Sequence, residues 1–229
     1  MKFTFGIITD GKSDNTLNIV IDSIEKQNIP EYEVLIIGNS KISRNNTRVI
    51  SFDDSIKPRW ITRKKNLITL HAKYDNIVYT HDYVTFEDGW YDGYLKFGDD
   101  FKVCMNVFLN SDSTRFRDWV IWPYNGSQTD QIIAKSNREC LIPYDMNHLS
   151  KHQYISGTYW VAKKDVMMEF PLDERLVHSQ GEDVAWSKMI RQKYNFSMNS
   201  FSFVKSLKFK DVAFNVTTEE TNKKLMEVK

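Results

Sequence analysis

Apolar residues come in short blocks separated by amphipathic stretches, and the alternation is most regular in the first half of the chain. Lys2 to Thr9 is a nearly continuous apolar run, which predicts a buried strand ending in Thr9-Asp10-Gly11. Leu17, Val20, Ile21 and Ile24 follow at helical spacing. They predict a helix over about 15–27, capped by Ser13 or Asp14, with Pro30 closing the unit. Tyr32 to Ile37 predicts a second buried strand, broken by Gly38-Asn39-Ser40, and Arg48 to Phe52 a shorter third. Arg63 to Lys73 predicts a helix that offers Leu67, Ile68 and Leu70 for packing. Asn76 to Thr80 predicts a strand running into His81-Asp82-Tyr83. Strands alternating with helices imply a parallel sheet with right-handed crossovers. Ligands bind such sheets at the carboxyl ends of the strands, so three polar loops are expected to converge on one rim.

The second half is less regular. Trp90-Tyr91-Asp92-Gly93-Tyr94 predicts a helix, and about 102–109 a strand. Residues 111–150 show no clean period and contain Trp119, Trp122, Pro123, Tyr124 and Pro143. Such a stretch inside a compact domain is either a functional loop region or a set of elements that periodicity misses. Tyr154 to Ala162 predicts a strand around Ser156-Gly157-Thr158. Gly181-Glu182-Asp183 opens a helix to about Lys193, and 196–209 alternates weakly as a last strand would. The polar end from Thr217 is expected to fray.

Composition narrows the function. The 229 residues carry 31 Lys plus Arg against 30 Asp plus Glu, a net charge of +1. That balance argues against holding nucleic acid or an anionic membrane by bulk electrostatics. A 41% hydrophobic and 27% charged chain builds a core, which excludes disorder. The 14% aromatic share is high, and this many Tyr and Trp also suits a surface that stacks on rings. Cys104 and Cys140 are too few for a disulfide framework and lack metal-ligand spacing. No run is long enough to span a membrane, and the N-terminus lacks a signal-peptide pattern, so a cytoplasmic protein is expected. Gly-x-Gly-x-x-Gly, Walker-type, Gly-x-Ser-x-Gly and His-Glu-x-x-His runs are all missing.

The order of elements resembles an inverting glycosyltransferase of the family 2 type with a GT-A fold. Four landmarks carry the resemblance over nearly the whole length. They are the strand ending near Thr9 with Ser23-Ile24 and Gln27 in the next helix, and the strand of 32–37 with its small polar turn. The Lys65-Asn66 helix leading to His81-Asp82-Tyr83 is the third, and Ser156-Gly157-Thr158 followed by Glu182-Asp183 the fourth. The family's Asp-x-Asp motif is reduced to Asp82, and its acidic turn after the second strand is Gly38-Asn39-Ser40. The fold implied is α/β, one domain over 1–229 with a Rossmann-like mixed central sheet flanked by helices. Residues 1–100 would form the donor half, 101–215 the acceptor half and 216–229 a polar tail.

By the same resemblance, a sugar would pass with inversion from a nucleotide-diphosphate donor, UDP-linked, to a glycan or glycosylated acceptor. Mn²⁺ or Mg²⁺ on Asp82 would neutralise the leaving diphosphate. Asp183 would be the base that takes the acceptor's proton, with Glu182 in support. Thr9, Asp10, Asn39, Arg63, Lys65 and His81 are the donor-side candidates, with the Asn39 amide able to bond a uracil-like edge. Trp160, Trp186 and Trp122, the last in a cluster running from Trp119 to Tyr124, are candidate acceptor platforms. Each has a structural alternative: Asp82 as a plain strand end, the tryptophans as core packing. Glu182 and Asp183 could only stabilise a helix start, by about 0.3–1 kcal/mol each. A relative that binds sugar or nucleotide without turnover stays open beside the enzyme. A nucleotidyltransferase of the same fold would need a Gly-rich basic loop, where only Lys12 stands.

Overall fold

A computed structural model describes residues 1–123, 126–136, 139–211 and 214–228, so Tyr124 lies outside the described residues. Its first elements follow the hydrophobic pattern closely. β1 (Phe3–Ile8), α1 (Asp14–Glu25), β2 (Tyr32–Ile37), β3 (Thr47–Ile50), α2 (Ile61–His71) and β4 (Asn76–His81) appear in that order. Ser13, rather than Asp14, caps α1 by accepting from the Thr16 N–H. β2, β1 and β4 are buried along nearly their whole length, as strands covered on both faces must be.

Beyond β4 come β5 (Val84–Phe86), α3 (Trp90–Phe97) and β6 (Val103–Leu109). The aperiodic stretch holds short elements: β7 (Val120–Ile121), α4 (Gln128–Ser136), β8 (Cys140–Leu141) and a 3-10 turn, Asn147–His152. β9 (Tyr159–Lys163), α5 (Lys164–Glu169), α6 (Glu182–Ile190) and β10 (Phe196–Ser206) complete the main body. The expected strand at 154–162 is therefore shorter, and Ser156-Gly157-Thr158 is the turn that leads into it.

The main sheet has eight strands in the order β3-β2-β1-β4-β9-β6-β10-β5. β1 to β4 run parallel, β9 runs antiparallel between β4 and β6, and β6 and β10 are again parallel to each other. The carboxyl ends of β1, β4 and β10 thus point to the same side. A smaller sheet, β11-β8-β7, uses β11 (Asn215–Val216). The terminal segment does not fray as expected. Thr218 caps α7 (Glu219–Met226), Leu225 is fully buried, and the Leu225 carbonyl lies 3.0 Å from Nε2 of His152.

Most of the aromatic excess is core. Trp90 meets Phe3, Phe5, Phe86 and Tyr94, while Tyr79, Trp160, Trp186 and Phe196 form a continuous stack. Cys104 and Cys140 are buried free thiols, each pushed up to about 12 by burial. No helix among the described residues is long and apolar enough to cross a membrane.

Candidate functional site

A cleft of about 660 Å³ opens at the carboxyl ends of β1 and β4, within the size range of small-ligand sites. Its floor depends on close backbone approach. Gly38 and Gly11 both have positive φ, 147° and 77°. A Cβ on Gly38 would sit 2.4 Å from the Thr9 carbonyl, and one on Gly11 would sit 2.5 Å from the Asn39 carbonyl. The turns after β1 and β2 therefore pack backbone on backbone, which fixes the rim.

Four of the expected donor-side and metal residues line this cleft: Thr9, Asp10, His81 and Asp82. Oγ1 of Thr9 donates to Oδ2 of Asp82 at 2.6 Å. Burial raises the Asp82 carboxyl above its ordinary pKa, with Thr9 pulling the other way. Burial would raise Asp10 too, but its contacts with Lys12 bring it below the usual range. The His81 imidazole is held well below its ordinary pKa by burial and by the charges of Lys65 and Lys210, so it is neutral.

Other expected donor contacts lie elsewhere. Asn39 is exposed in its turn and is not among the lining residues. Arg63 turns away to Glu174, 3.0 Å distant. Lys65 is buried beneath the rim, where its Nζ donates to the Gly157 carbonyl at 2.6 Å and lies 4.4 Å from the Trp160 ring. Desolvation brings its ammonium down to about 8. Its neighbour Lys64 lines the cleft instead, donating to the Thr9 carbonyl at 2.6 Å and to Asp54 at 2.8 Å.

Two acceptor platforms are corrected by their burial. Trp160 is 1% exposed and stacked on Tyr79. Trp186 is 2% exposed, and its Nε1 donates to the Phe170 carbonyl at 2.7 Å. Neither offers a ring face to a sugar. Trp122 is half-buried, 6.2 Å from the Tyr154 ring, and is the one of the three left near the surface.

The Glu182-Asp183 pair opens α6 as expected, but the two acids differ in setting. Glu182 is buried, and desolvation followed by the Asp183 charge raises its pKa, so it supports the helix start from inside. Asp183 is half-buried; its Oδ2 accepts from the Gly157 N–H at 2.8 Å and its Oδ1 from the Val184 N–H at 2.9 Å. It is not a lining residue of the cleft, although the fields of Lys65, Arg117 and His178 all reach it.

Sequence reasoning missed Arg59, His178, Lys208 and Lys210, which also line the cleft. Arg59 sits at φ 61° just before α2, and its carbonyl accepts from the His178 N–H at 3.1 Å. Lys208 and Lys210 follow β10, and each Nζ lies 4.6 Å from the Tyr83 ring centre. Two lysines two residues apart, past a strand that ends on the same rim, were the available signal.

The donor set fits a resident divalent ion poorly. No three His, Cys, Asp or Glu side chains gather to hold a metal among the described residues. Of the three carboxylates lining the cleft, Asp10 is paired with Lys12 and Asp54 with Lys64, which leaves Asp82 alone. The expected metal role of Asp82 is therefore unsupported by its surroundings.

The architecture is a GT-A fold: a large, mixed central sheet flanked by helices, with the cleft at the carboxyl ends of its parallel strands. The solved structures similar to it include GalNAc-T7 with UDP, GalNAc and Mn²⁺, at TM-score 0.64 and 12% identity over 92% of this chain. TarS of S. aureus aligns at TM-score 0.59 and 15% identity over 99% of this chain, and its 1–349 form at 0.58 and 14% over 99%. The chain spans only 44%, 38% and 63% of those three proteins. No family model and no curated protein sequence matches the chain.

Proposed function

We propose that this chain is a glycosyltransferase whose cleft binds a nucleoside-diphosphate sugar, UDP-linked, and passes the sugar to a hydroxyl of a glycan or glycosylated acceptor. The observation that carries this reading is one convergence. The ends of β1, β4 and β10 bring Thr9, Asp82, Lys208 and Lys210 to a single cleft, and the Gly157 backbone, which meets the cleft-lining His81, also holds Asp183. One structure of the same fold contains UDP, GalNAc and Mn²⁺, which supports the donor class.

In this reading Asp183 accepts the acceptor hydroxyl's proton as it attacks the anomeric carbon from the face opposite the diphosphate, giving inversion. Its backbone hydrogen bonds fix the carboxylate's direction, which is what a positioned base needs. Asp82 holds the Thr9 hydroxyl and accepts from a ribose or sugar hydroxyl. Neutral His81 is a donor toward the diphosphate or ribose. Trp122 is the remaining aromatic platform for the acceptor.

The test is incubation with a panel of UDP-, GDP- and dTDP-sugars and simple glycans, reading nucleoside diphosphate release and the anomeric configuration of the product. Acceptor-stimulated UDP release with inverted product is expected. Absence of release from every donor, with UDP still bound, favours the second reading, a sugar-nucleotide binder without turnover. That alternative draws on the Asp183 oxygens, both of which already accept backbone N–H groups.

A further inference from the structure

We infer that side-chain cations, Lys208 and Lys210 together with Arg59, meet the charge of the donor diphosphate in place of a divalent metal ion. This rests on the nucleotide-sugar reading above. Five cations line the cleft, Lys12, Arg59, Lys64, Lys208 and Lys210, against three carboxylates. Lys12 and Lys64 are spent on Asp10 and Asp54, at 2.7 and 2.8 Å. Arg59, Lys208 and Lys210 have no carboxylate in ion-pair contact among the described residues and face Asp82 alone. The surplus is two positive charges. A sugar diphosphate ester carries about one negative charge per phosphate, so the surplus matches it without an added ion.

The crowding of these cations points the same way. Nζ of Lys210 donates to the Tyr83 hydroxyl at 2.8 Å, and Nζ of Lys208 lies over the same ring. Behind them stands Arg117, half-buried, with its Nε lacking a partner among the described residues. Like charges gathered in a partly desolvated place repel one another. Burial and the charges of Arg117 and Lys208 bring the Lys210 ammonium down to about 8. An anion bound between them relieves that repulsion, whereas a divalent cation beside Asp82 adds to it. Each ammonium presents three rotatable donors and suits a phosphate as a point charge.

The test is calorimetric titration of UDP into the full chain at low salt, once with EDTA and once with Mn²⁺. The expected result is binding in EDTA, within about threefold of the affinity in Mn²⁺. Lys208→Ala and Lys210→Gln should each weaken UDP about tenfold and flatten its salt dependence, with melting curves showing that each variant is folded. Binding that appears only with Mn²⁺ overturns the inference and leaves the nucleotide-sugar reading standing. Failure of UDP, GDP and dTDP to bind under either condition overturns both. Wild-type affinity in both lysine variants also overturns the inference.

Discussion

The backbone N–H of Gly157 donates to Oδ2 of Asp183 at 2.8 Å, while the carbonyl of the same residue accepts from Nζ of Lys65 at 2.6 Å. One peptide segment therefore connects α2, the turn before β9 and the start of α6. Among the described residues, the acid expected to act as base is held by backbone N–H groups and not by another side chain. A carboxylate held by two backbone donors has little freedom to turn, so its aim is set by the fold.

Gly157→Ala tests that arrangement. A Cβ at this position would lie 3.0 Å from Oδ2 and 3.2 Å from Cβ of Asp183, tight enough to push the acid by a few tenths of an ångström. Transfer should fall by about tenfold to a hundredfold in kcat, with the donor KM unchanged and the thermal midpoint lowered only slightly. Wild-type kcat in this variant would show that the position of Asp183 is irrelevant to the reaction.

Asp183→Asn separates the base from the anchor. The amide oxygen can still accept from Gly157 while the Val184 N–H loses its acceptor, so folding and UDP binding should persist with a small loss of stability, but the group no longer takes a proton. A loss of about 10²–10⁴ in kcat is expected. Turnover close to wild type, measured as acceptor-dependent UDP release, would remove Asp183 from the role of base.

Thr9→Val addresses the donor side. Burial raises the Asp82 carboxyl, and the 2.6 Å hydrogen bond from Thr9 restrains the rise. Without that donor the carboxyl goes up further, so the acid limb of UDP-sugar affinity against pH should move to higher pH. Loss of the bond should also cost about 1–3 kcal/mol of stability, since it leaves a partly buried carboxylate short of a donor. Superimposable pH profiles for the two proteins would refute the link between Thr9 and Asp82.

The parallel part of the sheet was legible because β1, β2 and β4 are apolar on both faces, and a doubly covered strand needs little else to be recognised. On α2 the pattern misled. Leu70, expected to pack, is 51% exposed, while Thr62, Lys64, Lys65, Asn66 and Thr69 are buried. That helix lies under the 172–176 loop and the Gly157 turn, whose carbonyls need donors, so its inward face is polar. The same cause takes Lys65, an expected diphosphate contact, out of the cleft and under the Gly157 carbonyl. Trp160 and Trp186 were misplaced for the opposite reason, because ring type alone does not distinguish a stacking surface from a core. Residues 118–155 carry elements of two to nine residues, too short for any period to register. Asp82 and the Glu182-Asp183 pair were found at the right element ends, since strand and helix termini are marked by local sequence.

Lys65→Met gives a pH-dependent test of the same knot. In the folded chain the Lys65 ammonium titrates near 8, against 10.5 for the free side chain, because burial disfavours its charge. Above 10.5 both states are neutral and the fold bears no penalty. As pH falls from 10.5 through 8, the unfolded chain binds a proton that the folded chain binds less readily, so stability is lost. The span corresponds to on the order of 3 kcal/mol between the two limits. Lys210, brought down to about 8 as well, acts in the same direction and is common to both proteins. Methionine removes only the Lys65 share. At pH 7 it also forfeits a charged hydrogen bond to Gly157, about 1.5–3 kcal/mol, which largely offsets the relief from burying a charge. Wild type and variant should therefore be close in urea stability near pH 7, and wild type should gain on the variant as pH rises to 9.5. Parallel stability curves across that range would mean that Lys65 is not held as a desolvated cation under Gly157, and that the link from α2 to Asp183 is only a contact.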